Sequence, residues 1–172
     1  MKKESLVKRL AISLSYVAVT AILLVIFWAG SLTGNSGLEG VFNAYKMIFP
    51  LIISIAFAVG IGFDHSGAAA LAGAVGYLVF GASFSVLIDA KAQFLVNAPI
   101  SIFGGEVKGQ IFFIICGLVM GLVSGMMYNK FYNIKMPEWL AFFGGRRFVP
   151  IITSVVALFI GSFVANIVLP HL

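Results

Sequence analysis

Asp64 and His65 are adjacent, and an acid beside an imidazole is the pair in this sequence that could relay a proton or accept a phosphoryl group. Turn chemistry accounts for them more simply. Asp favours tight turns and helix N-caps, and a single His with no second ligand is ordinarily a solvated side chain. Cys116 is the one thiol, and it lies inside the apolar run Ile111 to Met127. There it reads as a small packing residue rather than a nucleophile. A single cysteine makes neither a disulfide framework nor a multi-cysteine metal site. His171 sits beside the C-terminus and carries no pattern. No metal and no cofactor is expected from these residues.

Glycines give a stronger signal than the titratable groups. Gly117, Gly121 and Gly125 recur every fourth residue, which places three hydrogen side chains on one helical face and lets backbones approach closely. This ridge serves either packing within the chain or a contact between subunits. Ala69/Gly73 and Ala72/Gly76 make a second close-packing face in the run Ser66 to Gly76. A pore lining is the weaker reading of that face, because no polar group accompanies the small residues.

Elements that position these residues must live in lipid. Hydrophobic residues form 61% of the 172-residue chain and charged residues 10%, against about 45–50% and about 25% in soluble domains. That balance excludes a soluble enzyme. Five apolar stretches, Ala11 to Gly30, Ala44 to Phe63, Ala68 to Ile88, Ile111 to Tyr128 and Val149 to Leu169, are long enough to cross a hydrocarbon core of about 30 Å. The first resembles a signal peptide in its flanking cations, but it is too long and its end too bulky for cleavage. In the second span Pro50 falls within the first turns and Lys46 at the edge, a proline tolerated where neighbours satisfy the freed carbonyl.

The expected fold is therefore an all-α polytopic bundle forming one membrane domain over residues 1–172. Cationic loops stay in the cytoplasm, and a cytoplasmic N-terminus puts Lys2, Lys3, Lys8, Arg9, Lys130, Lys135, Arg146 and Arg147 inside and only Lys46, Lys91 and Lys108 outside. Cations spread beside spans in this way, without a stripe of interleaved aromatics, give no sign of a nucleic-acid partner. The bilayer is the expected partner. Ser31 to Asn43 and Asp89 to Gln110 read as plain external loops. Asn129 to Val149 reads as a structured, amphipathic cytoplasmic loop. Pro137 and Glu138 suit the first turn of a short helix, and Gly144-Gly145 its end. Trp139, Phe142 and Phe143 would anchor it at the interface, with Arg146 and Arg147 beside lipid headgroups or a partner's carboxylates.

The string Asn129-Lys130-Phe131-Tyr132-Asn133-Ile134-Lys135-Met136-Pro137-Glu138, followed by Phe142-Phe143-Gly144-Gly145-Arg146-Arg147-Phe148-Val149-Pro150-Ile151, is long and specific. It resembles enzyme IIC (EIIC), the membrane subunit of the bacterial phosphoenolpyruvate-dependent sugar phosphotransferase system (PTS), in its glucose and N-acetylglucosamine branch. The run Gly67 to Tyr77 looks most like the N-acetylglucosamine members. The resemblance implies a homodimeric carrier that moves a hexose inward and hands it to a phosphorylated cysteine on an attached or separate EIIB domain. It covers only the front of such a permease. The family's sugar pocket is built mostly from the second half around a Gly-Ile-Thr-Glu motif, and this sequence has none. The first span differs too, having Ser15, Thr20 and only apolar residues from Ile22 to Trp28 where the family carries prolines and an arginine.

Residue chemistry agrees with that absence. A hexose needs its hydroxyls matched by carboxylate, imidazole or amide groups beside an aromatic face. The spans offer little beyond Thr20, Ser54, Ser83, Ser85, Ser162 and Asn166. Phosphoryl transfer needs an exposed Cys or His nucleophile with donors around the moving charge. The expectation is a truncated scaffold of the EIIC type, not catalytic alone and binding hexose only if completed. The alternative is a non-transporting membrane protein that dimerises with, or modulates, a full-length permease.

Overall fold

The computed structural model describes residues 6–87, 106–135, 137–138 and 144–168. Five α-helices make up almost all of it: α1 (Leu6–Ser31), α2 (Ser36–Ile61), α3 (Gly67–Leu87), α4 (Glu106–Phe131) and α5 (Phe148–Val168). A 3-10 turn, Gly145–Arg147, leads into α5. At a rise of 1.5 Å per residue the 26-residue helices are roughly 39 Å long, enough to span a bilayer with margin. All five are long and apolar enough to cross a membrane.

Three helices begin clearly earlier than the sequence expectation: α1 at Leu6 rather than Ala11, α4 at Glu106 rather than Ile111, inside the stretch to Gln110 read as a loop, and, by the largest margin, α2. α2 begins at Ser36 rather than Ala44, and the expected loop from Ser31 to Asn43 shrinks to a tight turn. The polar residues taken for a loop start the helix instead. Asn35 is the N-cap, its Oδ1 accepting from Gly37 N–H at 2.9 Å, and Glu39 in the first turn complements the helix's positive end. Pro50 therefore sits in the middle of α2 and not in its first turns.

α2 is the hub. It packs on α1, α3 and α4, while α3 makes its largest interface with α5. Small residues set the spacing. A Cβ on Gly121 would stand 2.6 Å from the Ser54 carbonyl oxygen and 2.7 Å from Phe57 Cβ, one on Gly125 2.7 Å from Ile61 Cβ, and one on Gly117 would collide with the Pro50 carbonyl. The glycine ridge of α4 is thus occupied along its length by α2 of the same chain. Gly73 lies on Ala58 and Ser54, and Ser54 Oγ donates across to the Gly73 carbonyl at 2.9 Å. Gly76 faces Ser124 and Thr153, so the second small-residue face is also buried between helices and lines no pore.

Between these contacts an aromatic series fills the centre: Tyr77, Phe80 and Phe84 run down α3, and Phe84 meets Phe112 and Phe113 of α4 with ring centroids 5.5 and 6.2 Å apart. Cys116 is buried beside Tyr77, Phe80 and Met120. α1 is peripheral. Ser13 is its one buried residue, pressed against Gly60, whereas Val19, Ile22, Val25, Ile26 and Trp28 are at least half exposed. Such apolar exposure suits lipid as the solvent.

Candidate functional site

The richest polar cluster among the described residues lies at the end of the bundle where α1 begins, α2 turns into α3 and α4 ends. α2 stops because Gly62 leaves helical geometry, with φ −55° and ψ 135°, while its N–H still reaches the Ala58 carbonyl at 2.9 Å. The peptide groups on either side of Gly62 need partners, since an unpaired backbone group is costly away from water. Asn129 serves both, its Oδ1 accepting from Phe63 N–H at 2.8 Å and its Nδ2 donating to the Ile61 carbonyl at 2.9 Å. Asn carries donor and acceptor on one amide, so it can clamp a chain reversal in this way. Arg9 of α1 adds a longer contact to the Ile61 carbonyl at 3.4 Å, with its guanidinium 5.9 Å from the Phe63 ring centre.

The following residues form a polar chain. Ser66 Oγ donates to the Tyr128 hydroxyl at 2.7 Å, Tyr128 donates to Asp64 Oδ2 at 3.0 Å, and Arg146 Nη2 lies 2.7 Å from the same oxygen. Tyr128 is fully buried, packed with Ala69, Ala72 and Val149, and its ring stacks on Tyr132. Burial pushes the Asp64 carboxyl up, but the hydrogen bond from Tyr128, the polar groups of Ser66 beside it and the charge of Arg146 together outweigh it. They hold the group below the ordinary carboxylate range. Its other oxygen, Oδ1, is buried with no hydrogen-bond partner among the described residues.

This geometry gives Asp64 a fastening role that sequence reasoning reduced to turn chemistry. It ties the α2–α3 turn to α4 through Tyr128 and to the start of α5 through Arg146. His65 does not join it. His65 takes φ +50°, uncommon for a side-chain-bearing residue, is exposed, and places Nδ1 3.0 Å from the Val59 carbonyl of α2. The acid–imidazole pair is therefore not assembled as a relay.

Of the motif residues, Arg146 reaches the cluster, and Gly145 holds the turn that carries it. With φ +67° Gly145 opens the 3-10 turn, and its N–H donates to the Ile134 carbonyl at 3.0 Å; the short helix expected before it falls largely outside the described residues. That left-handed φ is what makes glycine the suitable residue there. Gly144 precedes it in extended geometry. Arg147 is exposed and Pro150 is buried in the first turn of α5. Pro137 and Glu138 are exposed and take no part, and Trp139, Phe142 and Phe143 lie outside the described residues. Ser66, Tyr128 and Arg9 carried no site role from sequence, and Asn129 entered only as the first residue of the family string. The available signal was a Tyr-Asn pair closing an apolar helix on the same side as the acid of a short turn.

Within the spans, polar side chains mostly close on backbone: Thr20 on Val17, Ser83 on Phe80, Asn166 on Ser162, each to a carbonyl at 2.9 Å. Ser85 Oγ and Thr153 Oγ1 are buried without partners among the described residues. A groove of about 410 Å³ between α3 and α5 is lined by Val79, Ala82, Ser83, Val86, Leu87, Leu158 and Ser162. Two hydroxyls in an apolar wall do not match the ring of hydroxyls on a sugar.

Fold and site together define a polytopic helical membrane protein whose charged cluster fastens helix ends. The chain belongs to the EIIC family of the phosphotransferase system, whose family model matches residues 9–172. It is 34% identical over 135 residues to the N-acetylglucosamine-specific EIICB component of Bacillus subtilis (strain 168), covering 73% of this chain and 26% of that protein. It is 39% identical over 114 residues to the N-acetylglucosamine-specific EIICBA component of Escherichia coli (strain K12), covering 64% of this chain and 15% of that protein. The matched regions thus span only 26% and 15% of these relatives' lengths.

Proposed function

We propose that this chain acts in the bacterial cytoplasmic membrane as a component of a phosphoenolpyruvate-dependent sugar phosphotransferase system of the N-acetylglucosamine and glucose type. In this reading it supplies helical scaffold and not the sugar site. The family match over residues 9–172 carries the proposal. The names of the two relatives support the sugar class and the involvement of an EIIB domain. The scaffold part rests on the spans, where described polar groups are mostly bound to their own helices and no carboxylate, imidazole and aromatic set converges. A second copy or a full-length EIIC is the expected protein partner, and a hexose binds only the completed assembly.

Uptake of labelled N-acetylglucosamine in permease-null cells tests this reading. Cells making this chain alone should take up no more than the parent strain, and co-expression with the remaining membrane segment of a relative should restore uptake. Robust uptake by the chain alone would overturn the scaffold role. The alternative, a non-transporting partner of a full-length permease, is supported by the wide apolar exposure of α1. It requires co-purification with that permease through a face other than the α4 glycine ridge, which α2 already occupies.

A further inference from the structure

The two arginines of the 3-10 turn have different surroundings. Both are exposed, and Arg146 also reaches Asp64 at 2.7 Å. Around Arg147 the fold gathers other cations. The Gly145–Ile134 hydrogen bond closes the segment after α4, bringing Lys135 near the start of α5, and Lys130 is one residue from the end of α4. Lys8 lies in the first turn of α1 at the same end of the bundle, where neighbouring Arg9 touches Ile61 and Phe63. Lys8, Lys130, Lys135 and Arg147 are all exposed.

Described cations at this end number six against two acids, Asp64 and Glu138, and Asp64 is already committed to Arg146. Toward the other end, α2 carries Glu39 and Lys46, one of each sign. Bulky apolar side chains border the cations: Leu6 and Val7 on α1, Met126 on α4 and Ile151 on α5 are 45–75% exposed. The cations therefore mark the level at which the lipid-facing surface ends. Aromatic rings accompany them, with Lys130 Nζ 5.4 Å from the Phe131 ring centre and Phe63 packed on Tyr132, a pairing suited to the headgroup layer.

We propose that Lys8, Lys130, Lys135 and Arg147 form a collar that binds the phosphodiester headgroups of anionic phospholipids in preference to zwitterionic ones. The long side chains lay their stems along the apolar surface and extend their charges to the phosphates. This binding is independent of any sugar transport.

Native mass spectrometry of the detergent-solubilised chain with phosphatidylglycerol or phosphatidylcholine tests it. Phosphatidylglycerol should be retained roughly tenfold or more in preference, since each cation near a membrane surface contributes about fivefold to anionic-lipid binding. The combined K8Q/K130Q/K135Q/R147Q variant should lose most of that preference. K46Q should keep it, and the helical circular-dichroism spectrum should be unchanged in both. Millimolar inorganic phosphate should not displace the lipid. Equal retention of the two lipids, an undiminished preference in the combined variant, or displacement by inorganic phosphate would each overturn the proposal. Equal lipid retention with capture by polyglutamate would assign the face to an acidic protein.

Discussion

At the scale of single residues, Asp64 does the most with the least. One oxygen of its carboxylate holds both Tyr128 and Arg146, so removing the charge weakens two connections at once. Asp64→Asn and Arg146→Gln should each lower the thermal midpoint in detergent, and the double variant should lose less than the sum, because groups in one network couple. Additive losses would show that the pair does not interact in the folded protein. The pH dependence follows from the depressed carboxyl. A group stabilised in its ionised form contributes fully above its unfolded-state pKa, about 4 for Asp. The contribution disappears as the pH falls through the lower folded-state value. The gap between the original chain and Asp64→Asn should therefore be constant from neutral pH down to about pH 5 and vanish in stronger acid. Asp64 was legible as a turn residue because turn preference is local. Its partners were not legible, because Tyr128 is 64 residues away and a hydroxyl at a helix end has no pattern of its own.

At the scale of helices, the glycine spacing was legible and the identity of its partner was not. Period four specifies a smooth face but not which backbone lies on it, and here that backbone is α2 from Pro50 to Ile61. Gly121→Ala should destabilise the bundle by about 1–3 kcal/mol, the usual cost of overpacking, because its Cβ would meet Ser54 and Phe57 backbone and Cβ atoms under 3 Å. Gly40→Ala, in the same kind of helix but with nothing within 4 Å, should be neutral or stabilising by up to about 1 kcal/mol through helix propensity. Thermal unfolding of the two variants side by side distinguishes packing from propensity. Helix starts were less legible than helix existence. Asn35 and Glu39 look like loop residues in a composition count, yet they are what a helix N-terminus requires.

For the whole molecule, apolar content and run length were enough to read five membrane-crossing helices, since backbone in lipid must satisfy itself within each segment. Orientation rests on the distribution of Lys and Arg. Thr33→Cys should react with an impermeant maleimide in intact cells, and Lys135→Cys only after permeabilisation; the reverse pattern would invert the topology. Cys116 needs no replacement for this experiment, because it is buried in the bundle. The Asn129 clamp also bears on biogenesis. Ile61 and Phe63 are synthesised more than sixty residues before the amide that pairs with them, so until then the turn has its own short contacts and the longer one from Arg9, with water at the Phe63 N–H. The arrival of the fourth helix brings one side chain to both peptide groups. The hairpin thus becomes fixed late in translation, and an Asn129→Leu chain should stall there, inserted but open to protease at Gly62–His65.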